Sequence, residues 1–390
     1  MRGRDRHRPF GGTSMVHLPL LQRVPRYVTV FVNWACNLTC RECWMYGDSA
    51  SESTWLEEVK REQISTEMWT GIVDELAANS GAGDPANIAI MGGEPLMHPK
   101  IVELCRIAKE RLPGGVLDMS TNGTLLTRMA DELADSGIDV VYVSLDGPTA
   151  EINNPIRGRK SYERAIAGIE ALQRAAATRG GPKIALNFVV TGMNYTSLPE
   201  MVRLCERMEI PELTVGLASY FTKDEGWRSR PAFEPVTGQP FLSWAGYCNE
   251  HQHADMDLVR LREIFDETES MSDSVDVLIA PTRYGNEEKA KFFTPDWHRT
   301  VRETTCTKLW AQSTLLPNGQ VISCTTFADT VMGSIKGSSL SEVWHGDTYR
   351  QMREQIKKGL APVCYRCCEL NMDIEVDPAL YTIEPAVVEK

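Results

Sequence analysis

Cys36, Cys40 and Cys43 stand in a C-x3-C-x2-C spacing. Thiolates this close on one short loop can converge on a single metal centre, because sulfur is the soft donor that zinc and iron–sulfur clusters take. A closed structural site takes four protein ligands. Three imply either a distant fourth or a cluster with one coordination position open to a reactant. With 11 cysteines in 390 residues, chance should give this spacing about 0.01 times. A second group lies near the C-terminus, where Cys306 and Cys324 are followed by Cys364-Tyr365-Arg366-Cys367 and then Cys368. Two separated cysteines plus a C-x2-C supply four thiolates, a full set for a cubane or for zinc.

Two turns carry further candidates. Gly92-Gly93-Glu94-Pro95 follows a short apolar run; the glycines let a ligand approach the backbone, and the acid is an acceptor for an ammonium group. Ser144 precedes Leu145-Asp146-Gly147-Pro148, and Arg157 follows in Asn154-Pro155-Ile156-Arg157-Gly158. A guanidinium suits a two-point contact with a carboxylate. Taken alone, the first turn reads as readily as structural, and Arg157 as a surface-loop residue.

The elements that must position these groups read as an α/β fold. Residues 27–33 are β-branched and aromatic, a first strand that delivers the cysteine loop at its C-terminal end. Ser65 caps a helix running to residue 79. Further strands are expected at 87–91, 115–120, 140–144, 183–190 and 212–219. Helices alternate with them at 98–111, 125–135, 162–178 and 198–208, and Cys105 and Cys205 are read as core. Six strands alternating with helices predict a parallel sheet with right-handed crossovers, an open partial (βα)6 TIM-like barrel. In such barrels the reactive groups lie at C-terminal strand ends, where each candidate named falls.

Residues 220–304 read as a bridging or lid region with a helix near 255–270, an apolar run at 275–280 and a cluster of Trp244, Tyr247, Cys248, His251 and His253, taken as surface or core. A hairpin over 315–322 with an Asn318-Gly319 turn and a helix over 347–358 form a small C-terminal hairpin-plus-helix domain around the second cysteine group, iron–sulfur if the group holds a cubane. The expected division is a tail at 1–25, the barrel at 26–219, the bridge at 220–304, the second cysteine domain at 305–372 and a tail at 373–390, with a polar linker near 48–54.

Composition is that of a globular protein, 42% hydrophobic and 24% charged. No run of about 18 apolar residues would span a bilayer, and no secretion signal opens the chain. An odd cysteine count then reads as metal ligands plus buried thiols, which predicts a cytoplasmic protein with no membrane partner. The net charge of −12 argues against nucleic acid and mildly favours a cationic substrate.

The first cysteine loop resembles the cluster motif of the radical S-adenosylmethionine (radical SAM) superfamily. The resemblance implies a [4Fe–4S] cluster on Cys36, Cys40 and Cys43 whose open iron binds the amino and carboxylate groups of S-adenosyl-L-methionine. It implies that Gly92, Gly93 and Glu94 face the cofactor's amino group, Ser144 its ribose or carboxylate, and Arg157 its carboxylate. The residue before the third cysteine is usually aromatic and near the adenine; here it is Glu42, with Trp44 and Tyr46 just downstream. The C-terminal cysteines resemble the twitch domain, the shorter relative of the SPASM domain, which implies an auxiliary [4Fe–4S] cluster on Cys306, Cys324, Cys364 and Cys367. Cys368 is left over as a substitute ligand, a hydrogen-atom donor or, preferred, a buried thiol. Thr325 stands where sulfatase-maturing relatives carry an acid, which disfavours serine or cysteine oxidation.

The activity so implied is hydrogen-atom abstraction from a small polar natural-product intermediate, an amino sugar, aminocyclitol or sugar nucleoside, giving oxidation or epimerisation. A one-electron donor such as flavodoxin or ferredoxin would serve it. The competing readings are modification of a ribosomal peptide, decarboxylation of a sugar acid, and a non-catalytic metal scaffold.

Overall fold

The structure, a computed structural model, describes residues 22–48, 59–80, 85–249, 253, 255–271, 275–302 and 305–370. The expectations for most of the two tails, for 49–54 of the linker and for His251 lie outside the described residues. Strands β1 (Tyr27–Phe31), β2 (Asn87–Met91), β3 (Leu117–Thr121), β4 (Val140–Ser144), β5 (Lys183–Val190), β6 (Glu212–Leu217) and β7 (Asp276–Ile279) are parallel, each paired with the next. Helices α1 (Thr66–Asn79), α2 (Ile101–Arg111), α3 (Leu126–Ala134), α4 (Ala150–Arg157), α5 (Ser161–Arg179), α6 (Leu198–Arg207), α7 (Lys223–Thr237) and α8 (Leu258–Ser270) lie between them. Ser65 caps α1 as expected, accepting from the Met68 amide.

The strands alternate because their two faces meet different surroundings. Val28, Val30, Ile90, Met119, Val141, Val143, Leu186, Phe188, Leu213 and Val215 are buried in the main hydrophobic core. The intervening residues, among them Thr29, Asp118, Ser120, Tyr142, Ser144, Asn187 and Thr214, share the opposite face, the inside of the half-barrel.

The sheet is wider than six strands. The run read within the bridge is β7, paired with β6 through Leu213↔Val277. On the other side β8 (Gln312–Leu315) pairs in parallel with β1 through Thr29↔Thr314, then turns at Asn318-Gly319 (Gly319 φ 84) into antiparallel β9 (Gln320–Ile322) and β10 (Val331–Ser334). The sheet order is β10-β9-β8-β1-β2-β3-β4-β5-β6-β7. The C-terminal hairpin therefore continues the barrel sheet, and α9 (Asn286–Ala290), α10 (Leu340–His345) and α11 (Asp347–Lys357) complete the chain's helices among the described residues. Periodicity can show a strand, but not which edge it joins. Among the described residues no helix is long and apolar enough to cross a membrane.

At the N-terminal end of the barrel, Tyr142 donates to Glu212 Oε1 (3.0 Å) and Lys183 Nζ donates to Glu212 Oε2 (2.8 Å). Asp118 sits beside this group, 8% exposed. Burial, then the charges of Asp139 and Glu212, push its carboxyl up to about 7 from an ordinary 3.8. A carboxyl whose folded value exceeds its unfolded one binds its proton more tightly when folded, so stability is lost as pH rises from 3.8 to about 7. Asp118→Asn is therefore expected to stabilise the chain by about 2–4 kcal/mol above pH 7, with the gain vanishing toward pH 4. Denaturant midpoints at pH 4 and pH 8 check this; a gap that does not change between them contradicts it.

Candidate active site

The cysteine loop is fastened to the end of β2. The Val32 amide donates to Met91 O (2.8 Å), Gly93 N to Asn33 O (3.0 Å) and Glu94 N to Ala35 O (2.8 Å). A Cβ at Gly92 would stand 2.5 Å from Asn33 Oδ1, and one at Gly93 would stand 2.2 Å from Trp34 O. The space these glycines leave is filled by the Asn33 side chain and the chain's own backbone, so that what approaches them closely is the cysteine loop. Gly93→Ala is expected to cost about 3 kcal/mol or more and to loosen the loop, read as a lower denaturation midpoint; an unchanged midpoint would remove this account of the glycine.

Glu94 was expected to offer its carboxylate to an ammonium group. It is 1% exposed, and Oε1 accepts from Thr121 Oγ1 (2.6 Å) and Leu96 N (3.1 Å) while Oε2 accepts from Asn122 N (2.8 Å). Burial raises its carboxyl, and these hydrogen bonds pull it back. The side chain braces β2 against β3. Asn122 continues the brace, donating to Asn37 Oδ1 (2.9 Å) with Cys36 Sγ 4.0 Å away. Beside Gly92, the buried Asn33 Oδ1 accepts no hydrogen bond.

Arg157 ends α4 with its carbonyl toward the loop, where Cys40 Sγ lies 3.6 Å from it and the Arg41 amide donates to Ile156 O (2.9 Å). Its guanidinium Nε is 2.6 Å from Asp146 Oδ2, with side-chain exposures of 13% and 7%. Asp146 in turn accepts from the Val189 amide (2.9 Å), so the pair ties α4 to β5. Arg157 is thus engaged by a carboxylate of the protein. Its charge still reaches Cys40, Cys43 and Glu94. Ser144 is half-buried at the end of β4, level with Asn187.

The three loop thiols are half-buried. Burial pushes Cys36 up to about 11 and Cys40 up to about 12, and raises Cys43, with Arg157 opposing it at Cys40 and Cys43. A thiolate in such a place needs positive charge next to it, which an iron–sulfur core supplies. Glu42, between Cys40 and Cys43, is raised to about 7, chiefly by burial and then by Asp146. Its carboxylate accepts from Asn249 Nδ2 and lies 3.9 Å from His253 Nε2. Asp146, Asn249 and the buried His253 were not among the residues singled out for chemistry, since Asp146 reads as a turn residue and the other two sit in a stretch without periodicity. Trp244 and Tyr247 are buried, as expected of core; Tyr247 stacks on Trp44 with centroids 6.0 Å apart.

The second group surrounds a cavity of about 60 Å³ lined by Cys306, Cys324, Cys364 and Cys367, with Lys308 and Glu369 among its other walls. Burial raises all four thiols. Lys308 Nζ is 2.5 Å from Glu369 Oε2. Cys368 is not part of that lining; a Cβ on Gly216 of β6 would be 3.9 Å from its sulfur. Among the described residues all cysteines are free, and no three Cys, His, Asp or Glu side chains are placed to share one metal ion. A single zinc needs every ligand at about 2.0–2.3 Å from one point. A cubane takes each thiolate on a different iron.

Comparison with known proteins defines the class. Residues 34–205 match the radical SAM superfamily and residues 306–368 match SPASM, an iron–sulfur cluster-binding domain. The chain is a protein with a radical SAM domain, which implies a [4Fe–4S] cluster and S-adenosylmethionine. More particularly, it is one whose barrel is followed by a SPASM domain, the seat of auxiliary iron–sulfur chemistry. It is 31% identical over 188 residues to a GTP 3′,8-cyclase of Chlorobaculum tepidum, covering 48% of this chain and 52% of that one. It is 33% identical over 184 residues to the mycofactocin maturase MftC of Mycobacterium tuberculosis, covering 47% and 42%. The chain thus spans about half the length of the curated relatives it matches. In fold it is similar to Streptococcus suis SuiB bound to S-adenosylmethionine, with a TM-score of 0.58, 17% identity, and coverage of 83% of this chain and 66% of that one.

Proposed function

We propose that the protein abstracts a hydrogen atom from a small polar natural-product intermediate, an amino sugar, aminocyclitol or sugar nucleoside, and releases an oxidised or epimerised product. One observation carries this reading. The half-exposed inner-face positions toward the C-terminal strand ends include Ser120, Ser144, Asn187, Thr214 and Gly216, beside the apolar Met91 and Val189. Hydroxyl, amide and bare backbone beside the cysteine loop suit a compact hydroxylated molecule.

In this reading Cys36, Cys40 and Cys43 hold the first cluster, while Gly92, Gly93, Glu94, Ser144 and Arg157 shape the cofactor's side of the mouth. Cys306, Cys324, Cys364 and Cys367 hold the auxiliary cluster. Asn33 Oδ1, rather than the Glu94 side chain, is the acceptor left for the cofactor's amino group. When bound, these groups would supply radical chemistry drawn from S-adenosylmethionine at the first cluster and a second centre able to take up or return an electron. The chain's own residues hold the loop against β2 and β3 and keep Arg157 fixed through Asp146. The electron comes from a donor such as flavodoxin or ferredoxin, and the working compartment is the cytoplasm.

A second reading, modification of a peptide, draws on the fold shared with SuiB, which has been solved bound to its precursor peptide SuiA. Anaerobically reconstituted protein given S-adenosylmethionine and deuterated amino sugars, aminocyclitols, nucleosides or peptides tests both. Deuterium in 5′-deoxyadenosine from a sugar or cyclitol is expected; deuterium from peptides alone rejects the first reading.

A further inference from the structure

Asn249 lies just past the turn Ser243–Tyr247 and 207 residues from Glu42 along the chain, yet its Nδ2 donates to Glu42 Oε2. Asn249 is 3% exposed and the Glu42 side chain 13%. The remaining oxygen of each, Glu42 Oε1 and Asn249 Oδ1, is buried and accepts no hydrogen bond from the chain. The amide cannot relieve this by turning over, because Oδ1 would then face a carboxylate oxygen. Two spare acceptors, one of them on a carboxylate, therefore flank a single hydrogen bond beside the cysteine loop. Buried acceptors without donors are costly, and an oxygen of a buried carboxylate more so. The cation nearest in sequence, Arg41, is spent on Asp48 at 3.0 Å.

We propose that Glu42 Oε1 and Asn249 Oδ1 form a binding site for an amino group of the substrate, one that brings at least two N–H donors. A hydroxyl has one hydrogen to give and would leave an acceptor bare, whereas an ammonium fills both and offsets the charge. The imidazole of His253, its Nε2 3.9 Å from Glu42 Oε2 and its ring packed against Tyr220 and Phe293 (centroids 4.9 and 5.3 Å), stands on the Oε2 side of the carboxylate and leaves Oε1 to the ligand. The inference rests on the proposed small polar substrate and narrows it to amines. An exocyclic amine could also come from the cofactor's adenine, so the test separates the two sources.

The full-length protein, anaerobically reconstituted, is titrated calorimetrically with glucosamine and 2-deoxystreptamine, and with glucose and myo-inositol as hydroxyl counterparts, each with S-adenosylmethionine present. S-adenosylmethionine and its 6-oxo analogue, S-inosylmethionine, are titrated separately. The amines should bind at least about tenfold more tightly than their counterparts, the worth of one charge-assisted hydrogen bond. Glu42→Gln and Asn249→Ala should each erase that preference and leave cofactor affinity within about threefold. Amines that bind wild-type protein no better than alcohols, or variants that keep the preference, overturn the site and leave the acceptors to water. Loss confined to S-adenosylmethionine, with its 6-oxo analogue unaffected, assigns the pair to adenine and overturns the substrate amine. Deuterium transfer from a neutral sugar without amine preference would sink this site but not the proposed reaction; amine preference without transfer from any sugar would do the reverse.

Discussion

Alanine at Cys36, Cys40 or Cys43 is expected to abolish cleavage of S-adenosylmethionine. Each thiol is half-buried on a loop whose geometry is set by hydrogen bonds from β2, by the Arg157 carbonyl and by Asn122. The loop would thus survive loss of one sulfur while the cluster would not, because the remaining thiols cannot replace a ligand that points from a fixed backbone. Formation of 5′-deoxyadenosine should fall by at least about a thousandfold, equivalent to about 4 kcal/mol of barrier, and iron should drop by about four per chain. Iron analysis and chromatography of the nucleoside read both. Any of the three variants that retains wild-type turnover removes the assignment of the loop.

The second large effect separates the two cysteine groups. Alanine at Cys306, Cys324, Cys364 or Cys367 should also lower iron by about four per chain, since these four line one cavity. Cleavage of S-adenosylmethionine without substrate should stay within about threefold, while product formation falls by about a hundredfold or more, because the electron that the substrate must lose or regain has no second centre. Cys368→Ala should keep its iron, since its sulfur faces β6 and lies off the cavity wall. If Cys368→Ala loses the cluster and Cys367→Ala does not, the fourth ligand has been misassigned.

The parts of this molecule that were readable from the chain are those governed by local chemistry. Ser65 caps a helix because a side-chain oxygen meets an amide three residues on. Asn318-Gly319 turns a hairpin because Gly319 takes a positive φ. The six barrel strands and the cysteine spacings are legible for the same reason. What stayed hidden depends on residues distant in sequence. The four-residue β7 reads only as a short apolar run within the bridge, and it is a barrel strand because β6 gives it a partner. Glu94 reads as an acceptor for an ammonium group, and only the fold shows that Thr121 of β3 and the following Asn122 also donate to its oxygens and make it a brace. Arg157 looked available to a cofactor and meets Asp146, which no spacing rule marks.

The sequence by itself determined the kind of chemistry, a three-thiol loop and a four-thiol group on an alternating α/β chain, because ligand type and spacing along a short loop are covalent facts. Only the tertiary structure decided which groups face the mouth. It set β8 beside β1 so that the second cysteine group stands against the barrel, and it brought Asn249 and His253 to Glu42. Those outcomes follow from sheet pairing and from burial of polar groups, which are settled between segments up to hundreds of residues apart and leave no local trace.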